Sequence, residues 1–84
     1  METEIGEVTH YFSNLNVAII EINREIKLGD EIRFKGRSTD LTQKIGSMQV
    51  KYKEVKKAGP GAGIAVVVDG LVHEGDAIFK SNGG

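Results

Sequence analysis

The sequence contains no cysteine and no tryptophan, and only one of its 84 residues is proline. Without cysteine, the chain can form no disulfide and offers no thiolate nucleophile or cysteine-based zinc site. This composition favours a reducing interior, and we predict a cytoplasmic protein. A chain of this length makes one small domain with its own core but is too short to enclose a large buried active site.

Long apolar runs are also missing. The first seven residues, Met1 to Glu7, are acidic and lack the apolar centre of an export signal. No apolar run approaches the roughly 20 residues that are needed to span a bilayer. We therefore expect neither export nor a membrane partner.

Charge is unevenly distributed, although the formal net charge is only −1. Seven basic and two acidic residues lie between Lys35 and Lys57, whereas the rest of the chain has four basic and ten acidic residues. If this segment gathers on one side of the fold, that side is positive.

A Gly-Asp-x-Ile motif occurs twice, at residues 29–32 and 75–78, and each copy leads into a Phe-Lys pair. Glycine can take the positive φ of a tight turn, and the aspartate carboxylate can accept a hydrogen bond from the backbone of that turn. Each copy therefore predicts a turn followed by a strand. Phe34 lies two residues after its isoleucine whereas Phe79 follows directly, so the two rings are predicted to leave their strands on different faces.

Extended segments account for most of the remaining pattern. One of them, Val17 to Ile22, is β-branched and apolar at both odd and even positions. The others alternate in polarity or are short apolar runs bounded by glycine, as strands are. The predicted strands are residues 5–13, 17–22, 31–35, 64–68 and 77–79.

The segment from Asp40 to Lys57 is ambiguous, because its apolar residues also fall at helical spacing. Gly46 inside that pattern disfavours a helix by about 1 kcal/mol, and Met48 to Lys53 alternates as a strand does. We favour a strand over about 44–53 and a loop or single helical turn over 54–57. The fold class is therefore all-β: a small closed barrel of six to seven strands over residues 1–80, with a flexible tail at 81–84.

Catalytic and cofactor sites have no positive signal in the sequence. The glycine-rich stretch 58–63 leads into a strand and lacks the Lys-Ser/Thr of a phosphate loop, so a turn is the simpler interpretation. A metal site at His10 or His73 would require carboxylates such as Glu7 or Glu74 to be brought in by the fold. We expect no enzyme activity, no metal and no cofactor.

The segment Lys51 to Lys57 is the strongest functional candidate, because four lysines surround Tyr52. Lysines can neutralise phosphates while an aromatic ring offers a stacking surface for a base. The alternatives are a solvated strand edge and a Tyr52 that belongs to the core. The predicted nucleic-acid-binding residues are Lys35, Arg37, Lys44, Lys51, Tyr52, Lys53, Lys56 and Lys57.

Sulfur carriers and ubiquitin-like modifiers also end in Gly-Gly, as this sequence does at Gly83-Gly84. Those folds require a substantial helix near residues 20–35. Here that region carries the first Gly-Asp turn and a predicted strand, and a carrier role is disfavoured.

Five short motifs in order form a pattern that spans roughly residues 5 to 80. They are Ile5-Gly6-Glu7-Val8, residues 26–32, Ile45-Gly46-Ser47-Met48, residues 55–61 and residues 73–78. Together they resemble the second, β-barrel domain of translational GTPases such as elongation factor Tu, and in particular small translation elongation factor-like proteins. They are also similar to the C-terminal barrel of family U32 peptidases.

The resemblance implies a β-barrel and, in the translation factors, contact with the aminoacyl end of transfer RNA or with the ribosome. It implies no GTPase or peptidase activity, because the guanine-nucleotide motifs are missing and the U32 similarity reaches only an accessory barrel. The leading hypothesis is a non-catalytic, stand-alone barrel that binds RNA or a ribonucleoprotein (tRNA or the ribosome). The alternative is a protein-interaction adaptor that docks onto a larger enzyme or translation factor through an apolar barrel face.

Overall fold

Strands make up all the regular structure in the computed structural model, which describes residues 2–61 and 63–81. No helix occurs in that part of the chain, and the all-β prediction is confirmed. The ten strands are β1 (Glu2–Phe12), β2 (Val17–Ile22), β3 (Ile26–Lys27), β4 (Glu31–Lys35), β5 (Asp40–Lys44), β6 (Met48–Val50), β7 (Lys53–Glu54), β8 (Lys57–Ala58), β9 (Gly63–Val67) and β10 (Ala77–Ser81). The tail predicted at 81–84 falls, beyond Ser81, outside the described residues.

Eight strands form one antiparallel sheet in the order β5-β4-β10-β1-β2-β9-β6-β7, while β3 and β8 pair separately. The sheet curls into an open half-barrel, and the predicted closed barrel of six to seven strands is wrong. Closure would require the edge strands β5 and β7 to exchange ladder hydrogen bonds. Strand β7 has only two residues, and the chain from β5 runs into β6 after three residues.

A side chain bridges part of the gap that the sheet leaves open. The Gln43 amide on β5 donates from Nε2 to the Val67 carbonyl at 2.9 Å, and its Oε1 accepts from the Asp69 amide at 2.7 Å. These two bonds satisfy backbone groups at the end of β9 in the way a neighbouring strand would. One glutamine therefore ties β5 to β9 where no ladder joins them.

The hydrophobic core lies on the inner side of the curled sheet. Strands β2, β4 and β9 alternate buried with more exposed residues, as half-buried strands do. Strand β1 carries two register irregularities, which let its 11 residues bend around the core. The fully buried side chains of greatest volume are Phe34, Ile5, Ile20, Ile26, Ile32, Ile45, Met48, Ile64 and Ile78.

The two Gly-Asp motifs form the same turn. Gly29 and Gly75 have φ values of 90° and 89°, typical of the third position of a type II turn. Asp30 accepts from the Lys27 amide through Oδ2 at 3.0 Å, and Asp76 accepts from the His73 amide through Oδ2 at 2.8 Å. The predicted turns, with their aspartate hydrogen bonds, are confirmed.

The aromatic rings after these turns lie on different faces, as the sequence predicts. Ile32 and Phe34 are both buried on β4, whereas on β10 Ile78 is buried and Phe79 is partly exposed. The one-residue difference in spacing therefore sends Phe34 into the core and Phe79 to the outer side.

The strand predicted over 44–53 is wrong, because the chain reverses inside it. Val50 pairs with Lys53 across a two-residue loop, and Lys51 and Tyr52 have φ values of 52° and 66°. Positive φ at both loop positions is typical of a type I′ hairpin turn. The β6–β7 hairpin therefore replaces the predicted strand. Of the two alternatives predicted over 54–57, the structure has the loop, in which residues 55–56 join β7 to β8 without a helical turn.

Arg33 connects three strands on the outer side of the sheet. Its guanidinium donates two hydrogen bonds to Asp40 on β5, at 2.8 and 2.9 Å, and one to Glu2 on β1 at 3.2 Å. The hydrogen bonds from Arg33 hold the pKa of the Asp40 carboxyl below its ordinary value.

We predict that Asp40→Asn destabilises the domain slightly at neutral pH but not in acid. A carboxyl whose pKa is lowered by folding stabilises the fold above its ordinary pKa of 3.8 and loses this contribution as pH falls through the folded value. Melting temperatures measured from pH 7 to 2 should therefore converge for the two proteins. Asp69→Asn is the control, since Asp69 forms no ion pair in the described ranges. Equal melting temperatures of Asp40→Asn and the parent protein at pH 7 would contradict the prediction.

Candidate docking surface

Two rows of apolar side chains cross the outer side of the sheet. Phe12 on β1 pairs with Val17 on β2, which pairs with Val67 on β9. In the next row, Ile19 on β2 pairs with Ala65 on β9. Directly opposed residues of antiparallel strands project from the same face. We call this surface the outer apolar face: Phe12, Val17, Ile19, Ala65 and Val67.

The outer apolar face is open to solvent. Phe12 is 42% exposed and Val67 45% exposed, and the other three side chains are half-buried. Contiguous exposed apolar surface of this kind is typical of protein interaction sites. Leu15, 66% exposed in the turn between β1 and β2, adds apolar surface near the Phe12 end.

A histidine borders the face on β1. The His10 ring packs edge-on against Phe12 with ring centroids 4.4 Å apart, and its Nδ1 lies 2.9 Å from a Glu74 carboxylate oxygen. The ring contact supports the orientation of Phe12 toward the outer side.

The tip of the β6–β7 hairpin borders the face on the opposite side. Tyr52 is 98% exposed, so the alternative that it belongs to the core is wrong. A shallow groove of about 250 Å³ runs from this tip to the outer apolar face. The groove is lined by Ile19, Gln49, Lys51, Tyr52, Gly63 and Ala65.

The residues predicted to bind nucleic acid lie in three places. Lys51, Tyr52 and Lys53 lie together at the β6–β7 hairpin, and Lys56 and Lys57 follow at the start of β8.

The other three lie on or beside the β4–β5 hairpin, at the far end of the strand order. Lys35 ends β4 and is paired with Asp40, Arg37 lies in the loop that follows, and Lys44 ends β5. Lys44 is four residues from Asp40, the residue that pairs with Lys35, and this distance is roughly 13 Å along the strand. Lys35 and Lys44 are therefore at opposite ends of this hairpin, and binding of RNA by all eight residues stays a prediction.

A hydroxyl, an imidazole and a carboxylate meet beside the second Gly-Asp turn. Thr39 Oγ1 lies 2.9 Å from His73 Nδ1, and Asp76 Oδ2 lies 3.9 Å from the same nitrogen. In a catalytic triad the hydroxyl and the carboxylate use different ring nitrogens. Thr39 is also only 4% exposed. This cluster therefore has the geometry of a structural contact that ties the β4–β5 loop to the turn.

Metal-binding clusters and membrane-spanning helices are both absent from the described ranges. No group of three or more histidine, aspartate or glutamate side chains there is placed to hold a metal ion. None of the described residues forms a helix that is long and apolar enough to cross a bilayer.

No protein-family model matches this chain. One relative does match most of it in sequence. An uncharacterized protease of Methanocaldococcus jannaschii is 35% identical over 77 residues, which are 90% of this chain and 19% of the relative. The chain thus spans about a fifth of the length of that relative.

Solved structures match the chain over nearly its whole length. The C-terminal domain of a Geobacillus thermoleovorans protein described as a U32 peptidase superposes with a TM-score of 0.86 at 22% identity, covering 93% of this chain and 91% of that one. The chain has the fold of that domain. The selenomethionine variant of the same domain gives a TM-score of 0.84 at 20% identity, with 94% and 99% covered.

Of the two resemblances predicted from sequence, similarity to the U32 C-terminal domain is confirmed. Similarity to the second domain of translational GTPases stays a prediction.

The outer apolar face was not among the residues predicted to bind a partner, although the sequence carries a signal for it. Strand β2 is apolar at both odd and even positions, and one set of its side chains fills the core. Because the curled sheet has its core on one side only, the second set must lie on the outer side. Apolar residues on both faces of a strand indicate cover on both faces.

Proposed function

We propose that this domain is a non-catalytic docking module that binds a larger protein of the U32 peptidase type through the outer apolar face. The observation that carries the proposal is that face itself: two apolar rows on neighbouring strands, on the side of the sheet away from the core. Surface of this kind is stabilised when a partner removes it from water.

The relatives support this choice of partner. The matching segment is 19% of the Methanocaldococcus jannaschii protease, and the solved structure is a C-terminal domain of a protein described as a U32 peptidase. In these relatives the matching domain is one part of a longer polypeptide. A protein of that type is therefore the natural occupant of the outer apolar face.

The test is an affinity recovery experiment from nuclease-treated cell extract, with the full chain carrying a tag. It compares the amount of partner that is recovered by the parent protein, by Val17→Lys and by Val67→Lys. A lysine on the outer apolar face should reduce recovery about tenfold or more, because a charge would be buried in the interface. Leu71→Lys is the matched control, since Leu71 is 67% exposed and lies outside this face. Melting temperatures of all variants show that each is folded.

The expected result is a protein of U32 peptidase type that is retained by the parent and by Leu71→Lys and lost by both face variants. Material that disappears on nuclease treatment would favour the RNA-binding alternative and overturn the proposal. Equal recovery by all four proteins would also overturn it.

A further inference from the structure

We infer that the β6–β7 hairpin anchors the docked protein, with Tyr52 entering a pocket that acidic residues surround. This inference rests on the proposed docking function and adds the chemistry of the partner surface. Its first basis is exposure: the Tyr52 side chain is 98% exposed, more than any other large apolar side chain among the described residues. Tyrosine combines a large apolar ring with a polar tip, and such side chains dominate the binding energy of interfaces.

The backbone of the hairpin tip is the second basis. Lys51 and Tyr52 both have positive φ, a conformation that favours Asn-Gly in a two-residue turn. Side chains with a Cβ are strained in this region, and such strain is found preferentially at functional sites. The turn therefore presents a tyrosine even though Asn-Gly would adopt this backbone conformation with less strain.

Charge is the third basis. Lys51 and Lys53 flank Tyr52, and within residues 2–61 and 63–81 neither forms an ion pair. Carboxylates around the partner pocket would complement both ammonium groups and orient the encounter.

The hairpin tip is also continuous with the outer apolar face. The groove of about 250 Å³ joins Tyr52 to Ile19 and Ala65, so one partner can cover both surfaces. Two lysines beside an aromatic ring would also suit single-stranded RNA. Lys51 and Gln49 line the groove beside Ile19 and Ala65, but the two apolar residues continue into the outer apolar face, which a phosphate backbone would leave uncovered, and this favours a protein.

The deciding variant replaces the strained pair by the preferred one, K51N/Y52G. The Asn-Gly turn should raise the melting temperature by a few degrees, while recovery of the partner falls about tenfold or more. Lost binding in a protein that is more stable cannot be attributed to unfolding. Tyr52→Gly alone separates loss of the ring from loss of the lysine.

Charge neutralisation provides the matched pair of controls. Lys51→Gln with Lys53→Gln should weaken recovery and reduce its dependence on salt. Lys35→Gln with Lys44→Gln, on the β4–β5 hairpin and outside the β6–β7 tip, should leave both the recovery and its salt dependence unchanged. An equal effect of the two pairs would overturn the inference in favour of a diffuse basic surface.

A photo-crosslinking amino acid at position 52 identifies what the tip contacts in nuclease-treated cell extract. The expected adduct is a partner peptide rich in aspartate or glutamate. An adduct with nucleotides or with a second copy of this chain would overturn the inference. If the outer-face variants lose the partner while K51N/Y52G retains it, the hairpin anchor is wrong and the docking proposal stands.

Discussion

Replacement of Gly6 by alanine is expected to lower the melting temperature by more than about 10 °C relative to the parent. Gly6 lies on β1 opposite Ile22 on β2. A Cβ at this position would overlap the Glu21 carbonyl oxygen and stand 2.9 Å from the Ile22 Cα. All these atoms belong to the backbone, so the strands themselves must separate. We expect a loss of about 3 kcal/mol or more in the free energy of unfolding.

Gly46→Ala is the matched control for this change. Gly46 has no heavy atom within 4 Å of the added Cβ, and its φ lies outside the left-handed region. Alanine there should stabilise the domain by about 0.4–1 kcal/mol, because it restricts the unfolded chain. Urea unfolding of both variants, followed by circular dichroism, measures the difference. Similar midpoints for Gly6→Ala and Gly46→Ala would show that β1 and β2 are not held as closely as the structure has them.

The strands that could be predicted from sequence are those whose signals are local. Strands β2 and β4 begin and end where their apolar pattern predicts, and β9 and β10 differ from the prediction by one or two residues at an end. Both Gly-Asp turns could also be predicted, since glycine φ and the aspartate hydrogen bond involve only four neighbouring residues. Interactions within one turn or one strand can therefore be predicted from the residues of that segment alone.

The features that could not be predicted depend on distant parts of the chain. Nothing in Lys51-Tyr52 favours a two-residue turn, and the reversal there is set by pairing of β6 with β9. Strands β3 and β8 have two residues each and exist only because they meet each other. Beside β5 the sheet is left open, and the Gln43 side chain bridges this gap to the end of β9. Its two hydrogen bonds join residues that are 24 and 26 positions apart.

The same distinction applies to the candidate site. Charge along the chain predicts a basic segment, but folding divides it among the β4–β5 hairpin, the β6–β7 hairpin and strand β8 of the separate two-stranded sheet. Apolar residues at both odd and even positions of β2 and β9 predict an outer apolar face as soon as the sheet is known to enclose one core. The neighbouring strands β1, β2 and β9 then bring Phe12, Val17 and Val67 into one row. Under the proposed docking function, the apolar pattern of these strands thus locates the contact surface, which the charge pattern does not.

The two Gly-Asp motifs also make a quantitative prediction, because their phenylalanines have different surroundings. Phe34 is fully buried and is the largest side chain of the core. Phe34→Ala should therefore cost about 3–5 kcal/mol through lost burial and the cavity left behind. Domains of this size have a total stability of roughly 4–13 kcal/mol, so this loss removes a large share of it.

Phe79→Ala makes the same chemical change on the outer side of the sheet. Phe79 is partly exposed and directly opposite Arg33 on β4, so its loss removes less apolar burial and leaves no internal cavity. We expect a cost of about 1 kcal/mol. Urea midpoints of the two variants measure the contrast. Equal losses would contradict the different faces assigned to the two rings. A loss at Phe34 several times that at Phe79 would show that a spacing difference of one residue decides which copy of the motif holds the core together.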